Sequence, residues 1–254
     1  MKFETPIRRA LALLLASSLT AFAGASAADN KDKQKPAATQ TIDSGSFGIF
    51  IKGQRVATET FHIEQQAGNS IIKSQLKDTS GSESTSQKSD LELSSNGELL
   101  RYEWSQSSGG SLSVFPNNDF LKEVISTSSS AKPAEQVFLL PAVTPILDNN
   151  FFIHREVLAW KYLNAVCQPA GGDTKCRQES ADFGTLVPQD RTSMSVRISL
   201  GAKEKITIRG VEHDLLRLNL HGDQFDWALW VDDHDHFKLI KVAIPADNTE
   251  VVRD

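Results

Sequence analysis

The sequence predicts a mainly β protein: one antiparallel sheet with a single helix inserted midway. Three observations predict it. Apolar and polar residues alternate over two long tracts, one from about Ser44 and one through the final third, at the period of half-buried strands. Turn residues, chiefly Gly, Asn and Asp, interrupt both tracts at short intervals. Between the tracts lies one segment with a helical period. No internal repeat of fixed period stands out, so one sheet is the simplest architecture, with two separate small domains as the alternative.

The chain opens with Lys2, Arg8 and Arg9, an apolar run from Ala10 to about Ala23, and Ala25-Ser26-Ala27. A basic start, a short apolar core and a small-residue cleavage site predict a secretory signal peptide over 1–27; the apolar run is too short for a membrane anchor. No Cys directly follows it to accept a lipid. Cleavage would remove Lys2, Arg8, Arg9 and Glu4, a net +2, and take the formal charge from -5 to about -7. The expected location is periplasmic or extracellular. Residues 28–43 are polar and unpatterned and read as a disordered linker, which leaves 44–254 as one β domain.

From Ser44 the period is two. Phe47, Ile49 and Ile51 share a register, Gly53-Gln54 reverses the chain, and Val56, Thr58 and Thr60 follow, with Ala57, Phe61 and Ile63 on the alternating register. Gly68-Asn69 turns into Ile71, Ile72 and Leu76, and a Ser/Thr-rich stretch follows. Asn96-Gly97, between Leu91 and Leu93 on one side and Leu100, Tyr102 and Trp104 on the other, is the strongest hairpin signal. Both residues accept the positive φ that a type I′ turn requires. Gly109-Gly110 and Asn117-Asn118 mark further turns, giving a meander of about seven strands.

Thr144-Pro145 offers a helix N-cap and a first-turn proline. Leu147, Phe151, His154, Leu158 and Tyr162 then recur at helical spacing, with Phe152, Val157 and Trp160 widening the face. The spacing predicts an amphipathic helix over about 146–165, which must lie against the sheet. Cys167 and Cys176 bracket a turn with Pro169, Gly171 and Gly172, and in an oxidising compartment they predict a local disulfide. The final third alternates again: Met194, Val196, Ile198 and Leu200, a turn at Gly201, and Ile206 and Ile208. Leu216, Leu218 and Leu220 lead into Phe225, Trp227, Leu229 and Val231, then Phe237 and Leu239. A tail with Val251 and Val252 adds an edge.

Composition excludes several classes. With 39% apolar and 23% charged residues the chain is not disordered throughout, and no run is long enough to span a bilayer as a helix. Its acidic balance offers no broad footprint for nucleic acid. No GxSxG, HExxH, P-loop or GxGxxG is present, and no cofactor is expected. The richest polar cluster is the turn 232–236, Asp232-Asp233-His234-Asp235-His236, with His221, Asp223 and Asp226 nearby. Such residues are metal ligands, but turns select Asp for backbone reasons, so a solvated hairpin tip is expected and no metal. His154, on the apolar helix face, reads as a hydrogen-bonded core residue more than as a general base.

The run from Trp227 to Asp233 followed by Phe237 to Pro245, the opening segment from Gly48 to Ala57, and Leu147 to Phe152 resemble an uncharacterised bacterial envelope family. More distantly, that family resembles the lipoprotein carriers of LolA type. The resemblance covers about 44–254 and departs from the family at the last turn, where His234-Asp235-His236 replaces the usual Gly. It implies one strongly curved antiparallel sheet, a half-barrel, with the helix on its concave side, and it transfers no catalytic residue. The expected function is therefore non-catalytic. An apolar or amphipathic envelope ligand, lipid or lipoprotein-like, or a segment of an envelope partner would lie against Trp104, Phe151, Leu158, Trp160, Trp227 and Trp230. The alternatives are a metal-dependent or hydrolytic enzyme using the turn 232–236, and an accessory subunit of an envelope complex.

Overall fold

In the computed structural model, residues 39–79, 85–127, 132–170 and 173–254 are described. The expected signal peptide and most of the expected linker lie outside them. The first meander comprises β1 (Gln40–Ile51), β2 (Gln54–Gln66), β3 (Asn69–Asp78) and β4 (Ser86–Leu93), then β5 (Leu99–Gln106), β6 (Ser111–Asn117), β7 (Phe120–Ser126) and β8 (Ala134–Phe138). Helix α1 (Ile153–Val166) runs directly into the small hairpin β9 (Cys167–Ala170) and β10 (Asp173–Cys176). The second meander comprises β11 (Ala181–Val187), β12 (Thr192–Ile208) and β13 (Val211–Gly222), then β14 (Phe225–Asp232), β15 (Lys238–Ile244) and β16 (Thr249–Arg253).

Fourteen strands form one antiparallel sheet, ordered β11 to β16 and then β1 to β8. The two meanders join through β16 and β1, in register from Phe47 opposite Arg253 to Ile51 opposite Thr249. The tail expected to form an edge is thus a central strand, and Val251 is fully buried. Its two apolar residues read as an edge because a five-residue strand carries little pattern. The long-range pairing that buries it lies some 200 residues away in the chain.

The sheet is not closed into a barrel. One short contact bridges its β11 end to the chain before the helix. Leu147 N–H donates to Leu186 O at 2.9 Å, and Leu186 N–H to Pro145 O at 3.0 Å. This contact corrects the expected helix start. Pro145 to Leu147 are extended alongside β11, and α1 begins at Ile153 with Phe152 as its N-cap residue, which offers no side-chain cap. The β12 strand also runs through Gly201, where a turn was expected. A register shift between Leu200 and Lys203 lets the strand bend there. Asn96-Gly97 forms a longer loop than a two-residue hairpin. Only Gly97 has positive φ (73°), and its N–H donates to Ser94 O at 2.9 Å. The Cys167–Cys176 disulfide is formed and ties β9 to β10.

Inward-facing residues of both meanders pack with α1 into one large core. A second, smaller cluster of Ile208, Leu215, Ala228 and Trp230 lies apart from it. Trp230 has opposite strand parity to Leu229 and Val231, so it belongs to the other face. Beyond the Gly201 bend the β12–β13 hairpin packs on that face. At its tip Arg209 pairs with Asp254, which also holds Arg55.

Candidate functional site

The first turn of α1 concentrates buried charge. His154, Arg155 and Glu156 are consecutive and all buried, as are Glu59, Tyr102 and Asp148. Glu59 projects from β2 on the register of Ala57, Phe61 and Ile63. Its carboxylate accepts the Phe152 amide at 2.6 Å, the Ile153 amide at 3.2 Å and Ser74 Oγ at 2.7 Å. Those amides are the ones a helix start leaves unpartnered, so β2 supplies the cap that the local sequence lacks. Burial pushes the Glu59 carboxyl up to about 7, against these hydrogen bonds and the Arg155 charge.

Asp148 accepts from Tyr102 Oη, from Gln189 Nε2 and, at 2.7 Å, from the Asn150 amide. Arg155 donates to Asp148 O and to Phe151 O, the latter at 2.7 Å. Its guanidinium carbon lies 5.1 and 4.9 Å from the centres of the Phe152 and Trp227 rings. His154 Nδ1 accepts the Asp148 amide at 3.4 Å, which assigns the proton to Nε2. Burial lowers His154 to about 4 and Arg155 to about 10, so at neutral pH the imidazole is neutral and the guanidinium charged. One residue on, Glu156 Oε2 accepts the Leu239 amide at 3.0 Å and Arg253 at 3.2 Å. Burial holds its carboxyl well above the ordinary range. Asp43, itself paired with Arg253, favours the protonated form. These contacts tie α1 to β1, β2, β5, β15 and β16.

The six residues expected to line one groove are dispersed. Phe151 and Leu158 are fully buried in the main core, and Trp227 packs on Phe225, Phe152 and Arg155. Trp160 donates to Phe237 O at 3.0 Å, Trp104 to Gln87 Oε1 at 2.9 Å, and Trp230, on the other face, to Glu204 at 2.8 Å. Each of these three indole N–H groups thus has its own protein acceptor.

A groove of about 690 Å3 crosses β2 to β7. Two rows of outward side chains wall it. Thr60, Gln75, Lys88, Ser105, Ser111 and Ser126 are successive cross-strand partners, and so are His62, Lys73, Asp90, Glu103, Ser113 and Val124. Between the rows lie Phe61, Ser74, Ser89 and Leu112, which are buried, and the partly buried Trp104, the one expected ligand residue that lines this groove. Burial raises the Asp90 carboxyl, with Lys73 opposing. The groove was legible in part: the outward serines read as a solvated face, but nothing in the sequence showed that a groove crosses it.

A smaller cleft of about 420 Å3 lies between the C-terminal end of α1, the β9–β10 hairpin and the turn 232–236. Asp233, His234 and His236 line it with Trp160 and Phe237. The acids of the turn already have partners: Asp233 takes Lys203 at 2.7 Å, Asp235 takes Lys238 at 2.8 Å, and Asp232 caps the His234 amide at 2.9 Å. Among the described residues no group of three or more His, Cys, Asp or Glu is placed to hold a metal ion, and no helix is long and apolar enough to cross a membrane. No protein-family model, curated protein or solved structure matches the chain.

The buried carboxylates are what sequence reading missed. Glu59 and Glu123 each stand at an inward position between apolar neighbours, Ala57 and Phe61 or Leu121 and Ile125. An acid on the apolar register of a strand is the signal that would have found them.

Proposed function

We propose that this chain is an exported, non-catalytic binding protein of the cell envelope. In this reading its sheet curves as a half-barrel of LolA type around α1, and a ligand of the envelope lies in the groove over β2–β7. The groove carries the proposal. Its volume falls in the range of sites that enclose small ligands, roughly 300–1,000 Å3, and it lies over six mutually paired strands. Curvature is supported by contacts between distant parts of the sheet. From the β11–β12 turn, Gln189 reaches Tyr102 on β5 and Arg191 reaches Glu123 on β7. Export is supported by the 1–27 pattern and by the disulfide.

Native mass spectrometry of protein recovered from envelope extracts tests the reading. A bound mass is expected, lost in a Lys73→Glu, Lys88→Glu double variant that keeps the wild-type circular dichroism. A bare protein mass, or a bound mass indifferent to those two changes, overturns it.

A further inference from the structure

We infer that the groove over β2–β7 binds a linear, uncharged, polyhydroxylated chain, an oligosaccharide. The inference rests on the groove being the binding site and names what lies in it.

Four observations carry it. The first is the chemistry of the walls. Thr60, Ser105, Ser111, Ser113 and Ser126 bring hydroxyls to the groove, and Gln75 brings an amide. A hydroxyl both donates and accepts, so a wall of hydroxyls and amides matches a ligand whose own groups do both. An acyl chain would leave these groups without partners, and the apolar atoms that also line the groove, Trp104 and Val124 among them, suit the apolar faces of sugar rings.

The second is charge. Lys73 stands opposite Asp90, Asp90 opposite Glu103, and Lys88 lies two residues before Asp90 on the same face of β4. The formal charges cancel, so the groove has no net field to draw an anion or a cation. The planar carboxylates suit the paired hydroxyls of a sugar.

The third is the backbone. All six strands beneath the groove have ladder partners on both sides. An extended peptide gains affinity by adding to a strand edge with its main chain, and no edge is available here. Recognition must pass through side chains.

The fourth is length. At about 4.8 Å between strands, six strands span roughly 24 Å. That suits a chain of several sugar rings crossing the strands better than a monosaccharide.

The test is titration of the isotope-labelled protein with neutral linear hexasaccharides of glucose and of N-acetylglucosamine and with glycan strands released from cell wall. Lysophosphatidylcholine and a Gly/Ser-free extended peptide serve as comparison probes, and backbone NMR shifts are followed. The inference expects saturable shifts with at least one glycan, centred on residues 73–75, 88–90, 103–105 and 111–113. Binding should weaken at least tenfold in Gln75→Ala, Lys88→Ala, whose exposed or half-buried side chains leave the fold intact. Shifts of the same strands by lysolipid or peptide alone overturn the oligosaccharide assignment and keep the binding groove. No shift of β2–β7 with any probe overturns both.

Discussion

Glu59 carries more of the architecture than its neighbours in sequence suggest. It is fully buried, it caps α1 from another element, and burial moves its carboxyl up to about 7. Removing the side chain leaves two amides and Ser74 Oγ without an acceptor in a dry site. Glu59→Ala should therefore cost about 3 kcal/mol of stability by chemical denaturation, and Glu59→Gln clearly less. An unchanged midpoint in Glu59→Ala would show that water replaces the carboxylate.

The same groups set a pH dependence. Glu59 and Glu123 both rise to about 7 through burial, and burial also holds Glu156 well above its ordinary value. A raised carboxyl binds its proton more tightly in the folded state. The stability it contributes is full below the unfolded value near 4.5 and is lost as pH climbs through the folded one. For Glu59 this loss is on the order of 3 kcal/mol. His154 acts in the opposite sense: with its pKa lowered to about 4, its contribution is present above about 6.5 and lost as pH falls. Between 4.5 and 6.5 the carboxyls outnumber the imidazole, so stability should peak near pH 4.5–5 and fall toward pH 7.5. Urea midpoints across that range, flatter in Glu59→Gln, would bear this out. A midpoint that rises steadily from pH 5 to 7.5 would contradict it.

At the scale of elements, α1 is held at both ends by things outside itself. Glu59 holds its start. At its finish Cys167 is both C-cap residue and half of the disulfide that closes β9–β10. Cross-linking nine positions apart removes roughly 2–3 kcal/mol of unfolded-state entropy. Reduction or Cys167→Ser should lower the denaturant midpoint accordingly, keep the strand signal in circular dichroism, and speed amide exchange in 153–166. Equal exchange with and without the bond would leave the disulfide as a local staple with no hold on the helix. Helix and disulfide were legible in the sequence because period and spacing are local properties. The helix start was not. Thr144-Pro145 is a good local signal, but hydrogen bonds with Leu186 hold Pro145 and Leu147 along β11, and the actual cap comes from β2, 93 residues away.

At the scale of the molecule, the two meanders become one sheet only through β1 and β16. Val251 sits opposite Ile49 there, fully buried. Val251→Asp would place a charge with no partner at the seam, a penalty of several kcal/mol. Both halves should then melt together at a lower midpoint, in one transition followed by tryptophan fluorescence and by exchange in β3–β5. Two separate transitions would show that the halves fold independently.

Strand alternation, turn residues and the helical period determined the mainly β character, most strand positions and the single helix, because each arises from a residue and its near neighbours. Glu59 and Glu123 were missed because strand alternation alone did not settle which side of β2 and β7 turns inward. Only the tertiary structure decided that the C-terminal strand is central, that β12 continues through Gly201 with a register shift instead of ending, and that the six aromatic and apolar candidates disperse over separate surroundings. It also decided that a row of ordinary outward serines and lysines walls a groove. The physical reason is common to all four. Each depends on which distant strands pair, and a side chain's neighbours across a sheet are set by register over long separations, which no local pattern encodes.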